Sequence, residues 1–89
     1  MLGLERVKTF KKDISKLKFS NQHYAKYLLY VGYLLNEKEL DPEAKDHALK
    51  GQWSGYREFH ISGDLILIYR IESNILYLIR IGSHAQLFE

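Results

Sequence analysis

The 89-residue chain has no cysteine, a single proline and a single tryptophan. Without cysteine there is no disulfide staple and no thiolate metal site, which fits a reducing compartment. No apolar run approaches the ~20 residues that a membrane span needs. The opening stretch MLGLERVKTFKKD is too short in apolar residues, and too broken by charge, to be a signal peptide. A cytoplasmic protein with no membrane contact is the expectation. Internal repeats and low-complexity tracts are also missing, so residues 1–89 read as a single domain.

Hydrophobic residues make up 46% of the chain, enough to build one core at this size. The formal net charge is +2, but it is unevenly placed. Residues 1–26 hold seven bases against two acids, an excess of +5 that leaves −3 for the remainder. A basic N-terminal third suits a polyanionic partner. A solvated helix face accounts for it equally well.

Leu2 and Leu4 alternate with polar neighbours as in a short strand. From Val7 the period changes, and Val7, Phe10, Ile14 and Leu17 share one helical face. Lys8, Lys11, Lys12 and Lys16 occupy the other side. Ser20-Asn21 offers an N-cap for a second helix, in which Tyr24, Tyr27, Leu28, Val31, Leu34 and Leu35 keep helical spacing as far as Asn36. Tyr24, Tyr27, Tyr30 and Tyr33 recur every third residue. At 3.6 residues per turn that row drifts around the helix, so the four rings cannot all face one core. Glu37–Lys50 reads as a long polar connector, and long ordered loops are often functional. Beyond Gly51 the period is two. Gln52–Ile61, Leu65–Ile71 and Ile75–Ile81 read as three strands joined by tight turns at Ser62-Gly63-Asp64 and Glu72-Ser73-Asn74. LILIYRI is apolar on both faces and is therefore central. The predicted fold is α+β: an N-terminal strand, a two-helix hairpin, then a three-stranded antiparallel meander, all forming one sheet packed on the helices.

An up-down-up meander brings the end of its first strand, the start of its second and the end of its third to one end of the sheet. His60, Asp64, Arg80 and His84 should meet there, with His47 reaching in from the connector. That set suits metal-free cleavage of RNA. The 2′-hydroxyl needs a base, the leaving 5′-oxygen needs an acid, and the crowded phosphorane needs positive charge. Imidazoles fill the first two roles and arginine the third. Taken singly, each residue has a plainer reading: a polar strand end, a turn aspartate, a snorkelling arginine. A zinc site from His47, His60 and His84 matches no compact ligand spacing. His23 reads as solvated. No cofactor and no metal are expected.

DHALKGQWSGYREFHISGDLILIYRI, followed by LIRIGSHAQLF, closely resembles the YafQ-like branch of the RelE/ParE toxin superfamily, the toxins of type II toxin–antitoxin modules. The likeness is strongest over residues 46–88. Its pieces are DHxLKG, YRxxHI, an aspartate before the apolar LIY strand, and RxGSHxxLF. The N-terminal half agrees in layout: a strand, an FxKD-like helix over Phe10–Asp13, then a second helix. The resemblance implies a RelE-like fold and a ribosome-dependent endoribonuclease, or mRNA interferase, held inactive by a cognate antitoxin. It implies site residues His47, His60, Asp64, Arg80, His84 and Phe88. His84 would be the general acid, Arg80 the phosphate ligand and His60 or Asp64 the base. His47 would act on or position the RNA, and Phe88 would anchor the tail or stack on a base. Lys50, within the matched DHALKG, joins Lys8, Lys11, Lys12 and Lys16 as RNA contacts. At Leu65 some relatives carry tryptophan, and leucine cannot stack on a base as an indole does.

Two further readings stand beside this one. A ParE-like toxin shares the fold but inhibits DNA gyrase without chemistry, and needs no paired histidines. A small basic interaction module would be harmless when overproduced. The expected partners are an acidic antitoxin segment covering the lysine-rich face and the catalytic end, mRNA on the ribosome, and ribosomal RNA.

Overall fold

The computed structural model describes residues 1–88. The chain runs β1 (Gly3–Arg6), α1 (Lys8–Lys16), α2 (Asn21–Leu35), β2 (His47–Ala48), β3 (Arg57–Ser62), β4 (Leu65–Glu72), β5 (Ile75–Ser83) and α3 (His84–Phe88). One five-stranded sheet has the order β1-β5-β4-β3-β2, so the apolar β4 is central. β1 pairs in parallel with β5, and the remaining pairings are antiparallel.

Helix α2 begins as its sequence requires, with the Ser20 hydroxyl accepting the His23 backbone N–H at 3.0 Å. It ends at Asn36, whose backbone and side-chain N–H groups both return to the Gly32 carbonyl. The tyrosine row drifts as the helical period demands. Tyr27 and Tyr30 are buried, Tyr33 lies at the rim, and Tyr24 is exposed. Phe10, Tyr30, Val31 and Leu34 pack with Phe59, Leu67, Tyr69, Leu76 and Leu78 to make the main core between the helices and the sheet. Each such side chain contributes roughly 1.5–3 kcal/mol by leaving water.

The sequence reading is refined in three places. The connector is structured: Pro42–Ala44 forms a helical turn, and His47–Ala48 adds a fifth strand against Glu58 and Arg57. The predicted strand over 52–61 begins only at Arg57, because Gly51–Trp53 is a helical turn and Gly55 takes a φ of +94° that suits glycine. The tail beyond Ser83, to which the sequence assigns no element, is a short helix.

That helix explains the sequence GSHAQ. The Ser83 hydroxyl accepts the Gln86 N–H at 3.2 Å, while the Gln86 side-chain oxygen accepts the Ser83 N–H at 2.9 Å. This is a reciprocal capping box. A Cβ on Gly82 would meet the Gln86 side-chain oxygen at 2.8 Å, so a larger residue there would displace the end of that side chain and its bond to the Ser83 N–H. Leu87 then closes a second, smaller core with Ile66 and Ile68, on the sheet face turned away from α1 and α2.

Two buried hydroxyls make the fold sensitive to alkali. Tyr30 donates to Glu43 Oε1 at 3.2 Å, and burial together with the Glu43 charge pushes its pKa up to about 12. Tyr69 donates to Asp46 Oδ1 at 2.7 Å, and burial with that hydrogen bond raises it as well. An unfolded tyrosine ionises near pH 10. Since the folded state holds these protons longer, stability is complete below about pH 10 and falls as the pH rises through the folded values. A thermal-melt series from neutrality to about pH 12 should show that fall, reduced in Tyr30→Phe. A flat profile in the wild type would contradict it.

Candidate functional site

The histidines meet on a buried acid. Glu58, in β3, is 3% exposed. Its Oε2 lies 3.4 Å from His47 Nε2, 3.6 Å from His60 Nε2 and 3.4 Å from His84 Nε2. These separations are electrostatic contacts rather than tight hydrogen bonds. The second carboxylate oxygen, Oε1, is buried and has no hydrogen-bond partner among the described residues. A buried carboxylate is costly unless it is paired, and the three imidazole Nε2 atoms are the groups within reach of this one.

Each histidine arrives on a different element. His60 follows Glu58 by two residues in β3, so both side chains share a sheet face. Its Nδ1 faces the Gly63 carbonyl at 3.3 Å. His47 is the direct cross-strand partner of Glu58. The Asp46 carboxylate beside it accepts from the Tyr69 hydroxyl and from Arg57 Nε at 3.2 Å, which pins the connector to β3 and β4. His84 opens α3. Asp64 Oδ1 accepts its backbone N–H at 3.4 Å and lies 3.3 Å from its Nδ1. The rings of His60 and His84 stand 5.6 Å apart, and His84 lies the same distance from Phe88. His47, His60, Asp64, His84 and Phe88 are therefore brought together at one end of the sheet.

Arg80 is placed differently. The register of β4 on β5 steps from Ile68↔Arg80 to Tyr69↔Leu78, so Ile79 is the extra residue of a bulge. Bulges re-aim side chains. β1 pairs with β5 only as far as Leu78, and beyond it α1 covers the free edge. Thr9 donates to the Ile79 carbonyl at 2.9 Å, and Asp13 accepts the Ile81 N–H at 3.2 Å. Asp13 also receives Arg80 through both Nε and Nη2. That fork raises the Arg80 pKa above its already high ordinary value and keeps the guanidinium charged. Nη1 has no hydrogen-bond partner among the described residues. Lys12 and Lys16 share a shallow pocket with Arg80 and Asp13.

Of the other expected contacts, Lys8, Lys11, Lys12, Lys16 and Lys50 are all exposed. Leu65 is half-buried and packs against the main core. His23 is half-buried and lies near Lys26 and Ser62.

Sequence reading missed Glu58. Its signal was its position, two residues before His60 on the same face of the strand. Glu58, His60 and His84 each offer one ligand atom, all within 4.8 Å of one another, so this trio could also hold a metal ion.

A helix pair on one face of a five-stranded mixed sheet is the α+β architecture of the RelE-like bacterial toxins, and the chain shares it with YafQ crystal structures. Within that class the chain belongs to the family described as "Bacterial toxin of type II toxin-antitoxin system, YafQ", which matches residues 2–89. It is 39% identical over 77 residues to the mRNA interferase toxin YafQ of Escherichia coli K12, covering 86% of this chain and 74% of that protein. The structure is similar to the crystal structure of a metal-bound toxin from Helicobacter pylori (TM-score 0.87, 41% identity, 99% of this chain and 100% of that one). It is also similar to the toxin in the E. coli DinJ–YafQ complex (TM-score 0.86, 32% identity, 100% of both chains). Among the described residues no helix is long and apolar enough to cross a membrane.

Proposed function

We propose that this chain is a ribosome-dependent endoribonuclease that cuts mRNA, and that a cognate antitoxin holds it inactive. The observation that carries the reading is the gathering of three imidazoles around the buried Glu58 carboxylate. The E. coli relative's description as an mRNA interferase toxin supports it, as does that toxin's crystallisation with DinJ.

The chemistry uses the substrate's own 2′-hydroxyl as nucleophile. Asp64 is engaged with both the backbone and the ring of His84, so it orients that ring. This leaves His60 as the base that takes the 2′-hydroxyl proton. His84 is the acid that protonates the departing 5′-oxygen. Arg80 meets the charge that grows on the phosphorane. Glu58 lies beside the Nε2 atoms and stabilises the imidazolium formed when a ring takes up a proton; because Nδ1 of His84 faces Asp64 and Nδ1 of His60 faces the Gly63 carbonyl, Nε2 is the atom of each ring that exchanges a proton with substrate. His47 positions the RNA. The exposed lysines of α1, with Lys50, contact ribosomal or messenger RNA, so ribosome binding weakens with salt. The antitoxin contributes an acidic segment over the same lysines. A metal seated on Glu58, His60 and His84 would occupy both the acid and the base and so would block this cleavage.

Glu58→Gln tests the reading, because it keeps the shape and removes the charge. Cleavage of a translated mRNA should fall about 10²- to 10³-fold, the scale expected for loss of a group that stabilises charge developing in the transition state. Pure wild-type protein should leave gyrase supercoiling unchanged. Gyrase inhibition without RNA cleavage would reverse the assignment in favour of the ParE-like mode.

A further inference from the structure

The sheet face turned away from α1 and α2 carries a line of π-systems that starts at the histidines. The His84 ring lies 5.6 Å from Phe88. Phe88 meets Trp53 edge-on at 5.8 Å, and Trp53 meets Tyr56 edge-on at 5.4 Å. The Arg70 guanidinium then sits 5.9 Å from the Tyr56 ring centre and 4.9 Å from that of Tyr77. Arg70 and Tyr77 are direct cross-strand partners on β4 and β5, so this end of the line is set by strand register. Phe88 is 39% exposed, and Trp53, Tyr56, Arg70 and Tyr77 are each partly exposed.

Covering the small core around Ile66 and Ile68 explains Trp53 and Tyr56. It does not explain Arg70. One edge of its guanidinium pairs with Glu72 at 2.6 Å, while its Nε is buried with no hydrogen-bond partner among the described residues. A guanidinium held between two tyrosine rings, in line with further aromatics that lead to the reacting group, is a stacking platform for an unpaired strand.

We infer that the line Phe88–Trp53–Tyr56–Arg70–Tyr77 binds the single-stranded RNA flanking the cut, seating bases by stacking on one side of the scissile phosphate. This rests on the nuclease reading above and extends it from the reacting groups to the path of the substrate. The line is neutral to base identity along most of its length, since every base has a π-face. It therefore secures the strand rather than selecting a codon.

Trp53 is the chain's single tryptophan, so its fluorescence reports directly on the line. The probe is a single-stranded oligoribonucleotide made non-cleavable by 2′-O-methyl groups, titrated into the full chain. Wild type should show a saturable change in Trp53 emission. Arg70→Ala/Tyr77→Ala should bind about tenfold more weakly, the scale of one lost stacking contact. In ribosome-dependent cleavage the same variant should show a raised KM with kcat retained. Circular dichroism checks its fold. If it does not fold, Arg70→Lys serves instead, keeping the charge without the planar group, and should also bind more weakly. No emission change on adding RNA, or unaltered binding and KM in the folded variants, would overturn the inference. Cleavage by wild type without an emission change would sink the RNA path alone. Emission changes without any cleavage would sink the nuclease reading and leave an RNA-binding face. Lost antitoxin binding with RNA binding intact would assign the face to a protein and overturn the inference.

Discussion

His84→Ala is expected to lower ribosome-dependent mRNA cleavage by about 10²- to 10⁴-fold, the contribution of a positioned general acid. The fold should survive, because His84 is half exposed and the anchoring of α3 lies elsewhere. Leu87 is buried against Ile66 and Ile68, and Ser83 and Gln86 cap each other. The substitution removes one of three imidazoles from Glu58 and frees Asp64 from its ring partner. Some loss of stability follows from the less compensated carboxylate, so activity and melting temperature should be measured together. A large loss of cleavage with a melting temperature near wild type assigns the effect to chemistry. A variant that unfolds, or one that cleaves normally, would contradict the role given to His84.

The second large effect is expected at Arg80, where it can be separated from a structural role. Arg80→Ala removes the charge proposed to meet the phosphorane and should cost about 10²- to 10³-fold in cleavage. It also breaks the fork to Asp13 that couples α1 to the β5 edge. Asp13→Ala breaks the same coupling but leaves the guanidinium in place, now less restrained. Both variants should lose stability, by about 1.5–3 kcal/mol for hydrogen bonds to a charged partner. Only Arg80→Ala should lose most of its activity. Equal activity losses in the two variants would mean that Arg80 works solely as a brace for α1. Arg80→Lys should recover only part of the rate, since a lysine cannot hold Asp13 with two parallel bonds and also present a third donor.

Much of this architecture is legible in the sequence, and the exceptions have physical causes. The period of Val7, Phe10, Ile14 and Leu17 marks the buried side of α1, and Ser20 marks the start of α2. The alternation after Gly51, broken by Gly63-Asp64 and Ser73-Asn74, marks the meander. Strand parity then places His60, Asp64 and His84 at one end of the sheet. Strand β2 is too short, at two residues, to show any period. Trp53 and Tyr56 look like strand residues, yet they belong to a glycine-bounded turn that folds over the sheet. The burial of Glu58 depends on His47 from β2 and His84 from α3 closing, with His60, over a face of β3 that alternation alone leaves to solvent. The link between Arg80 and Asp13 spans 67 positions and depends on a bulge at Ile79, and neither leaves a local trace. The fold of the tail did leave one: Ser83 followed three residues later by Gln86 is a capping-box pattern. It accounts for a tail held in place rather than frayed, with His84 at its first turn.

The central claim is that the histidine cluster on Glu58 cuts mRNA when a ribosome presents it. The most direct test is primer extension on an mRNA in a purified translation system, with and without ribosomes, comparing wild type with His84→Ala. Discrete cuts are expected in the wild-type lane only when ribosomes are present, with their loss in His84→Ala. Cuts that persist without ribosomes, or in His84→Ala, or no cuts in any lane, would contradict it.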